Sequence, residues 1–116
     1  MSNTIKEITA AVHENAKNKG WWDSGERNFG ELLMLCNSEL VEAFEEYRNG
    51  HAVTETYYSK DKQGNDKMEG VPSELADVVI RIMDMCGYYG IDLESIIAEK
   101  HAYNKSRPYR HGGKKC

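Results

Sequence analysis

The sequence lacks an apolar run of the ~20 residues that a membrane-spanning helix needs. Its first stretch, MSNTIKEITAAVHENAK, carries acidic side chains and lacks the apolar block of a secretory signal, so it predicts an amphipathic helix. Cysteine is also scarce, and the three cysteines match neither a disulfide framework nor a metal-binding spacing. These absences together predict a cytoplasmic protein with no membrane partner.

Length and charge set the next limits. A chain of 116 residues without a linker or low-complexity tract fits one domain with one core, so we expect a single domain over residues 1–116. Charge is uneven, because residues 100–116 hold six basic residues and no acidic one although the net charge is −4. The basic C-terminal tail, about residues 105–116, suits nucleic acid, a membrane surface, small phosphates or the acidic body of the chain itself.

Helical periodicity is the main pattern of the chain. Apolar residues recur at helical spacing in four segments, with expected ranges of about 4–19, 28–49, 72–89 and 92–104. Asn28, with Glu31 three residues later, forms a capping-box pattern that opens the second segment. The stretch ETYYSKDKQGNDKMEG predicts a short β-hairpin at about residues 54–69. The expected fold class is therefore all-α, a four-helix bundle with this hairpin after the second helix.

Two similar stretches, SELVE and SELAD, each place two carboxylates three residues apart on the second and third predicted helices. Glu39 and Glu42 border the apolar arc of the second helix. The third helix is apolar around most of its circumference, which predicts burial on most sides. Its narrow polar stripe consists of Glu74, Asp77, Arg81, Asp84 and Tyr88.

These acidic pairs have two explanations. Acidic side chains are common on solvated helix faces, and the pair on the third helix also suits the dipole of its first turn. The alternative is a metal site, because four carboxylates in a low-dielectric crevice need a positive counter-charge. Their hard oxygen donors suit Mg²⁺, and Mn²⁺ or Ca²⁺ also fits this ligand type.

Cationic and aromatic candidates lie elsewhere. Lys100, Asn104 and Arg107 are spaced to share one face of the fourth helix and its exit, where they suit a polyphosphate. Bases at a helix C-terminus are also expected simply because they favour the dipole. Trp21 and Trp22 occupy a Gly-flanked loop before the second helix, and either core packing or stacking on a nucleobase explains them.

The order of these features resembles a known family. ExxE on one helix and ExxD on the next, followed by GIDLE and KxxxNxxRP, is similar to the MazG-like nucleotide pyrophosphohydrolases of the all-α NTP pyrophosphatase superfamily. The likeness spans about residues 27–113 and is most specific in PSELADVVIRI and NKSRPYRHGGK. A phosphoribosyl-ATP pyrophosphohydrolase of the same superfamily is an alternative within this resemblance.

The resemblance implies a four-helix core assembled as a homodimer or homotetramer. It also implies Mg²⁺-dependent hydrolysis of a nucleoside triphosphate, (d)NTP, to the monophosphate and pyrophosphate. By matching positions, the magnesium ligands would be Glu39, Glu42, Glu74 and Asp77. The substrate-binding residues would be Lys100, Asn104, Arg107, Trp21 and Trp22.

The chain departs from many relatives at Ser38, where they carry the first acid of a double Glu. If that carboxylate activates water, this chain needs a substitute. The candidates are Glu46, one turn beyond Glu42, and the ligand carboxylates Glu39 and Glu42. The hairpin segment is extra length between the two acidic motifs, and it could contact another subunit or the base.

A different class of function also fits the sequence. The acidic stripes could be structural or docking surfaces of a non-catalytic helical oligomer, and its basic tail would then bind nucleic acid. The enzyme hypothesis expects a nucleoside triphosphate and further copies of the chain as partners, and no nucleic acid.

Overall fold

The computed structural model describes residues 3–109 of the chain. Its elements are α1 (Ile5–Asn18), α2 (Phe29–Arg48), β1 (Tyr57–Lys60), β2 (Asp66–Glu69), α3 (Val71–Tyr89) and α4 (Leu93–Ser106). The strands pair antiparallel, with Tyr57 opposite Glu69. The four predicted helices and the predicted hairpin are confirmed, and each helix end lies within two residues of its expected position. Most of the predicted basic tail, together with Cys116, lies outside the described residues.

Local sequence explains where the helices begin and end. The side chain of Asn28 accepts the backbone N–H of Glu31 at 3.0 Å, so the predicted cap of α2 is present. Asp92 caps α4 in the same way, accepting the N–H of Ser95 at 3.2 Å. Between them, α3 ends at Gly90, whose φ of 68° is left-handed and therefore suits glycine.

Helix α3 is the centre of the packing, because it contacts both α1 and α2, while α4 packs against α1. The core forms around Trp22, Leu32 and Met85. At Gly87 the backbone of α3 comes so near α1 that an added Cβ would lie 2.5 Å from the Cβ of His13. This close approach fixes the spacing between α1 and α3.

The apolar arcs of α2 and α3 are wider than the surface that one copy of the chain buries. Large apolar side chains stay exposed on both helices: Leu33, Leu40, Phe44 and Tyr47 on α2, and Leu75, Val79 and Ile80 on α3. The prediction that α3 is buried on most sides is therefore wrong for a single copy. Within residues 3–109, no other element packs over this face closely enough to bury it.

Two further expectations concern cysteine and membranes. Cys36 and Cys86 are free thiols, with Cys86 in the core and Cys36 half-buried, as their positions in apolar helical patterns predicted. In the described part of the chain, no helix combines the length and apolar character needed to cross a membrane.

Candidate metal centre and adjoining cavity

The two acidic pairs meet where α2 packs against α3. One carboxylate oxygen from each of Glu39, Glu74 and Asp77 lies within 4.8 Å of the other two. Glu42, one turn after Glu39, interacts with both Glu39 and Glu74, since both change its pKa. The spacing of three residues puts each pair on one side of its helix, and the contact between the helices brings the two sides together. We call these four residues the acidic cluster.

Glu39 is the buried member of the acidic cluster, and Arg81 is its partner. Nε of Arg81 donates a hydrogen bond to Oε1 of Glu39 at 2.9 Å. Burial raises the pKa of Glu39, but the hydrogen bond from Arg81 and interactions with Glu42 and Glu74 outweigh it, so the net shift is downward. Glu39 is therefore the carboxyl of the cluster that stays ionised most readily.

The other three carboxyls resist ionisation. Burial, followed by the nearby carboxyls of Glu42 and Glu39, raises the pKa of Glu74 to about 8. Contact with Glu39 raises the pKa of Glu42, and burial followed by the charge of Glu39 raises that of Asp77. Oε2 of Glu74 is buried, and no donor within residues 3–109 reaches it. The acidic cluster therefore has more negative charge than the surrounding residues neutralise.

A cavity of about 520 Å³ adjoins the cluster, within the range of ~300–1,000 Å³ typical of small-molecule sites. Helices α2 and α3 contribute Glu39, Asp77, Arg81 and Asp84 to its lining, together with the apolar Ile80. The rest of the lining comes from α1 and the following loop, through Ala11, Val12, Asn15, Ala16, Trp21 and Arg27. The lining therefore combines charged groups of α2 and α3 with apolar and aromatic groups of α1 and the loop, where Asn15 and Arg27 are the polar members.

The two tryptophans have different environments. Trp22 is buried and stacks on Tyr88, with ring centroids 4.0 Å apart and an interplanar angle of 9°. Trp21 is 63 % exposed and lines the cavity. The guanidinium carbon of Arg27 lies 5.9 Å from the ring of Trp21 and 5.5 Å from that of Trp22. Trp21 thus offers an accessible ring, while Trp22 anchors the loop.

A polar network secures this anchor from α3. The indole N–H of Trp22 donates to the carboxylate of Asp84, at 3.0 Å from Oδ1 and 3.2 Å from Oδ2. Nδ1 of His13 is also hydrogen-bonded to Oδ1 of Asp84, at 2.8 Å. Asp84 therefore ties α1 and the tryptophan loop to the helix that carries Glu74 and Asp77.

Glu46 and Ser38 make contacts within and beside α2. The hydroxyl of Tyr57 donates to Glu46, at 3.0 Å from Oε1 and 2.9 Å from Oε2, and Nε2 of His51 lies 3.5 Å from Oε2. This carboxylate therefore holds the first hairpin strand against α2. The hydroxyl of Ser38 is exposed and donates to the carbonyl of Leu35 in its own helix, at 2.7 Å.

The predicted phosphate-binding residues lie on α4 and its exit. Nζ of Lys100 and the guanidinium carbon of Arg107 are 5.9 and 5.6 Å from the ring of Tyr103. Asn104 is exposed, and its backbone carbonyl accepts the N–H of Arg107 at 3.3 Å. Within residues 3–109, no side chain of α4 lines the cavity beside the acidic cluster. One copy of the chain therefore groups the two cations around one ring but does not bring them to the cluster.

Three residues that sequence reasoning gave no role belong to this region: Arg81, Asp84 and His13. Arg81 and Asp84 follow Asp77 by four and seven residues, so their place on the polar stripe of α3 was visible. That spacing indicated that they would share the face of the acidic pair. His13 had no such signal, because its contact with Asp84 depends on how α1 packs on α3.

The donors of the acidic cluster suit a divalent cation, since they are hard carboxylate oxygens with an excess of negative charge. The cavity beside them adds Arg81, an accessible aromatic ring and an apolar wall. Such a lining offers contacts both to a charged group and to a planar apolar group. No protein-family model, curated protein or solved structure matches this chain, so a function has to be inferred from these residues.

Proposed function

We propose that the protein is a Mg²⁺-dependent pyrophosphohydrolase that cleaves a nucleoside triphosphate to the monophosphate and pyrophosphate. The main support is the acidic cluster, in which carboxylates of two neighbouring helices converge beside a cavity of about 520 Å³. The resemblance of the motifs to MazG-like enzymes supports the same reaction. The carboxylates of the acidic cluster alone would also fit other metal-dependent hydrolases. The order of the motifs along the chain is what favours a nucleotide pyrophosphohydrolase among them.

Glu39, Glu42, Glu74 and Asp77 would hold the Mg²⁺, for which Mn²⁺ could substitute. They fit this ion because they supply hard oxygen donors, and because the buried Oε2 of Glu74 lacks a donor within residues 3–109. When bound, Mg²⁺ would neutralise charge on the phosphates and lower the pKa of the attacking water.

The cavity suggests how a nucleotide would lie. Its phosphates would occupy the end with Asp77 and Arg81, next to the acidic cluster. Its base would lie toward α1, where the exposed ring of Trp21 offers a stacking surface and the side chain of Asn15 offers a polar edge. Trp22 would contribute by holding this loop in place, since its own ring stacks on Tyr88.

A carboxylate of the acidic cluster would accept the proton of the attacking water. Glu42 is a better candidate than Glu39, because Glu42 is exposed to solvent, whereas Oε1 of Glu39 accepts a hydrogen bond from Arg81. Glu46 is less suitable, because both of its oxygens accept the hydroxyl of Tyr57. This assignment gives the chain a base despite the serine at position 38.

A homo-oligomer is part of the proposal. The Cα radius of gyration is 17.0 Å, whereas a compact domain of this size has about 13 Å. The exposed apolar side chains of α2 and α3 form the kind of surface that a second copy would cover. A second copy could also supply Lys100, Asn104 and Arg107 to the phosphates, which the same copy of the chain does not do.

The test is a substrate panel. The folded protein is incubated with each NTP and dNTP, and with phosphoribosyl-ATP, in the presence of Mg²⁺, and pyrophosphate release is measured with an EDTA control. We expect release from at least one nucleoside triphosphate. Release from phosphoribosyl-ATP alone would move the protein to that other activity. No release from any compound, with strongly salt-dependent binding to DNA or RNA, would replace the proposal with the non-catalytic oligomer.

A further inference from the structure

The ion pair between Arg81 and Glu39 differs from an ordinary surface ion pair in its position. Arg81 lies one turn after Asp77 on α3 and lines the cavity, while its Nε donates to the buried Glu39 at 2.9 Å. The Arg81 side chain is 38 % exposed, against 11 % for that of Glu39. The pair therefore spans the boundary between the interior and the cavity.

Most of the hydrogen-bonding capacity of Arg81 is unused. A guanidinium carries five N–H donors in a fixed plane. Only the Nε–H is bonded within residues 3–109, which leaves the Nη donors for a ligand in the cavity that Arg81 lines. Two parallel N–H donors match the spacing of phosphate oxygens, so an arginine here suits a phosphate group.

Arg81 is also the cation bonded to the acidic cluster. In the described part of the chain, no other basic side chain forms an ion pair with its four carboxyls, and Lys67 acts on Asp77 only through longer-range attraction. A divalent cation held by the same carboxylates would have to bind Glu39 beside the guanidinium that already donates to its Oε1. Two cations competing for one carboxylate repel each other, so both cannot keep their best geometry.

We infer that Arg81 is a counter-ion that gives up Glu39 to a divalent cation and then binds the phosphates of the substrate. This inference rests on the proposed function. In the metal-free protein, Arg81 neutralises Glu39 and keeps α2 and α3 together despite the repulsion among their acids. When a metal and a nucleotide enter, the guanidinium leaves Glu39 and turns its donors toward the phosphate oxygens.

Arg81 therefore acts twice, with opposite effects on two ligands. By occupying Glu39, it weakens the binding of a metal alone. By donating to phosphate, it strengthens the binding of a triphosphate once the metal is present. A residue that merely supported the fold would influence both ligands in the same direction, because a disturbed site binds both of them worse.

The test uses Arg81→Met, which keeps the length of the side chain but removes its charge and donors, and Arg81→Lys, which keeps the charge. Arg48→Met is the matched control, because Arg48 pairs with the exposed Glu45 outside the acidic cluster. Circular dichroism first confirms that each variant keeps its helicity. Titrations then measure binding of Mn²⁺ alone, and of inorganic triphosphate at saturating Mn²⁺.

We expect Arg81→Met to bind Mn²⁺ more tightly and inorganic triphosphate more weakly, each by on the order of tenfold. Arg81→Lys should bind Mn²⁺ as the unmodified chain does and recover part of the triphosphate affinity, and Arg48→Met should change neither. If the folded Arg81→Met variant binds Mn²⁺ no more tightly, the inference is wrong even where the unmodified protein releases pyrophosphate. If the unmodified protein binds no Mn²⁺, both the inference and the proposed function fail.

Discussion

Glu39 and Glu74 lie on different helices, yet a carboxylate oxygen of one is within 4.8 Å of a carboxylate oxygen of the other. Their pKa values shift in opposite directions. That of Glu39 is lowered, because the hydrogen bond from Arg81 helps outweigh its burial, while burial and the nearby Glu42 raise that of Glu74 to about 8. The metal-free cluster therefore retains a proton near neutral pH, mainly on Glu74.

The first prediction concerns the pH dependence of stability without metal. The pKa of Glu74 in the folded protein, about 8, exceeds its ordinary value of 4.5. The folded state therefore binds the proton more tightly than the unfolded state, so its contribution is complete below about pH 4.5 and is lost as the pH rises through about 8. Urea denaturation across this window, from about pH 5 to about pH 9, should show a falling free energy of unfolding.

Two comparisons isolate this effect. Saturating Mg²⁺ should flatten the decline, because the ion supplies the positive charge that the proton otherwise provides. Glu74→Gln should flatten it too, since the side chain then no longer titrates. A decline of equal slope in the Glu74→Gln variant would assign the pH dependence to other groups.

The second prediction concerns the proposed metal ligands. Glu42→Gln keeps the shape of the side chain but removes a charged oxygen donor, so Mn²⁺ affinity and pyrophosphate release should each fall by about 100-fold or more, the upper end of the loss seen for groups that only support a ligand. Calorimetry and the pyrophosphate assay measure the two losses. Helicity should be unchanged, because Glu42 is exposed on α2.

Glu45→Gln is the control for that variant. Glu45 lies on the same helix but pairs with Arg48 at 3.0 Å on an exposed surface. Its substitution should leave both metal affinity and activity unchanged, since exposed pairs of this kind contribute little. Equal losses in both variants would mean that the charge of α2 as a whole matters, and not the placement of Glu42.

The third prediction concerns the tryptophan loop. Trp22→Phe removes the N–H that donates to Asp84 at 3.0 Å and leaves a part-buried carboxylate with one partner fewer. We expect a loss of about 1.5–3 kcal/mol in the free energy of unfolding, as for hydrogen bonds to charged groups. Trp21→Phe is the control, and it should change stability by less than about 0.5 kcal/mol because this ring is exposed.

For substrate binding, in contrast to stability, Trp21 is expected to be the more important of the two tryptophans. Trp21 lines the cavity, so Trp21→Ala should raise KM for the nucleotide while stability stays nearly constant. An unchanged KM would exclude Trp21 from the proposed base-binding site.

The sequence predicts this fold well wherever the determinants are local. The Asn28 cap and the left-handed Gly90 act within one turn of their own helix, and both helix ends are near their expected positions. The acidic cluster is also foreseeable, because spacing fixes the direction of Glu74 and Asp77 around α3. Helical periodicity shows which way each side chain points from its own helix, but it does not show which residue of another element lies there.

The residues that sequence reasoning missed depend on such neighbours. The ion pair of Arg81 with Glu39 and the contact of Trp22 with Asp84 both join separate elements, so no local pattern identifies the partners. The wrong prediction that α3 is buried on most sides has the same cause. The spacing of apolar residues identified the apolar arc of α3 correctly, but it did not show that part of the arc, including Val79, stays exposed in one copy of the chain.

The last prediction follows from that exposed arc. If a second copy covers α2 and α3, light scattering should give a mass at least twice the 13.2 kDa of one chain. Phe44→Glu puts a charge into the arc, where burial against a partner would be unfavourable, so it should shift the mass toward that of a single chain. Val53→Glu is the control, because Val53 is similarly exposed but lies in the segment between α2 and the hairpin, outside the arc.

Since α4 does not reach the cavity within one copy, the Phe44→Glu variant should also lose pyrophosphate release while still binding Mn²⁺. Full activity in a variant of single-chain mass would show that each copy works alone, and would remove Lys100, Asn104 and Arg107 of a second copy from the site.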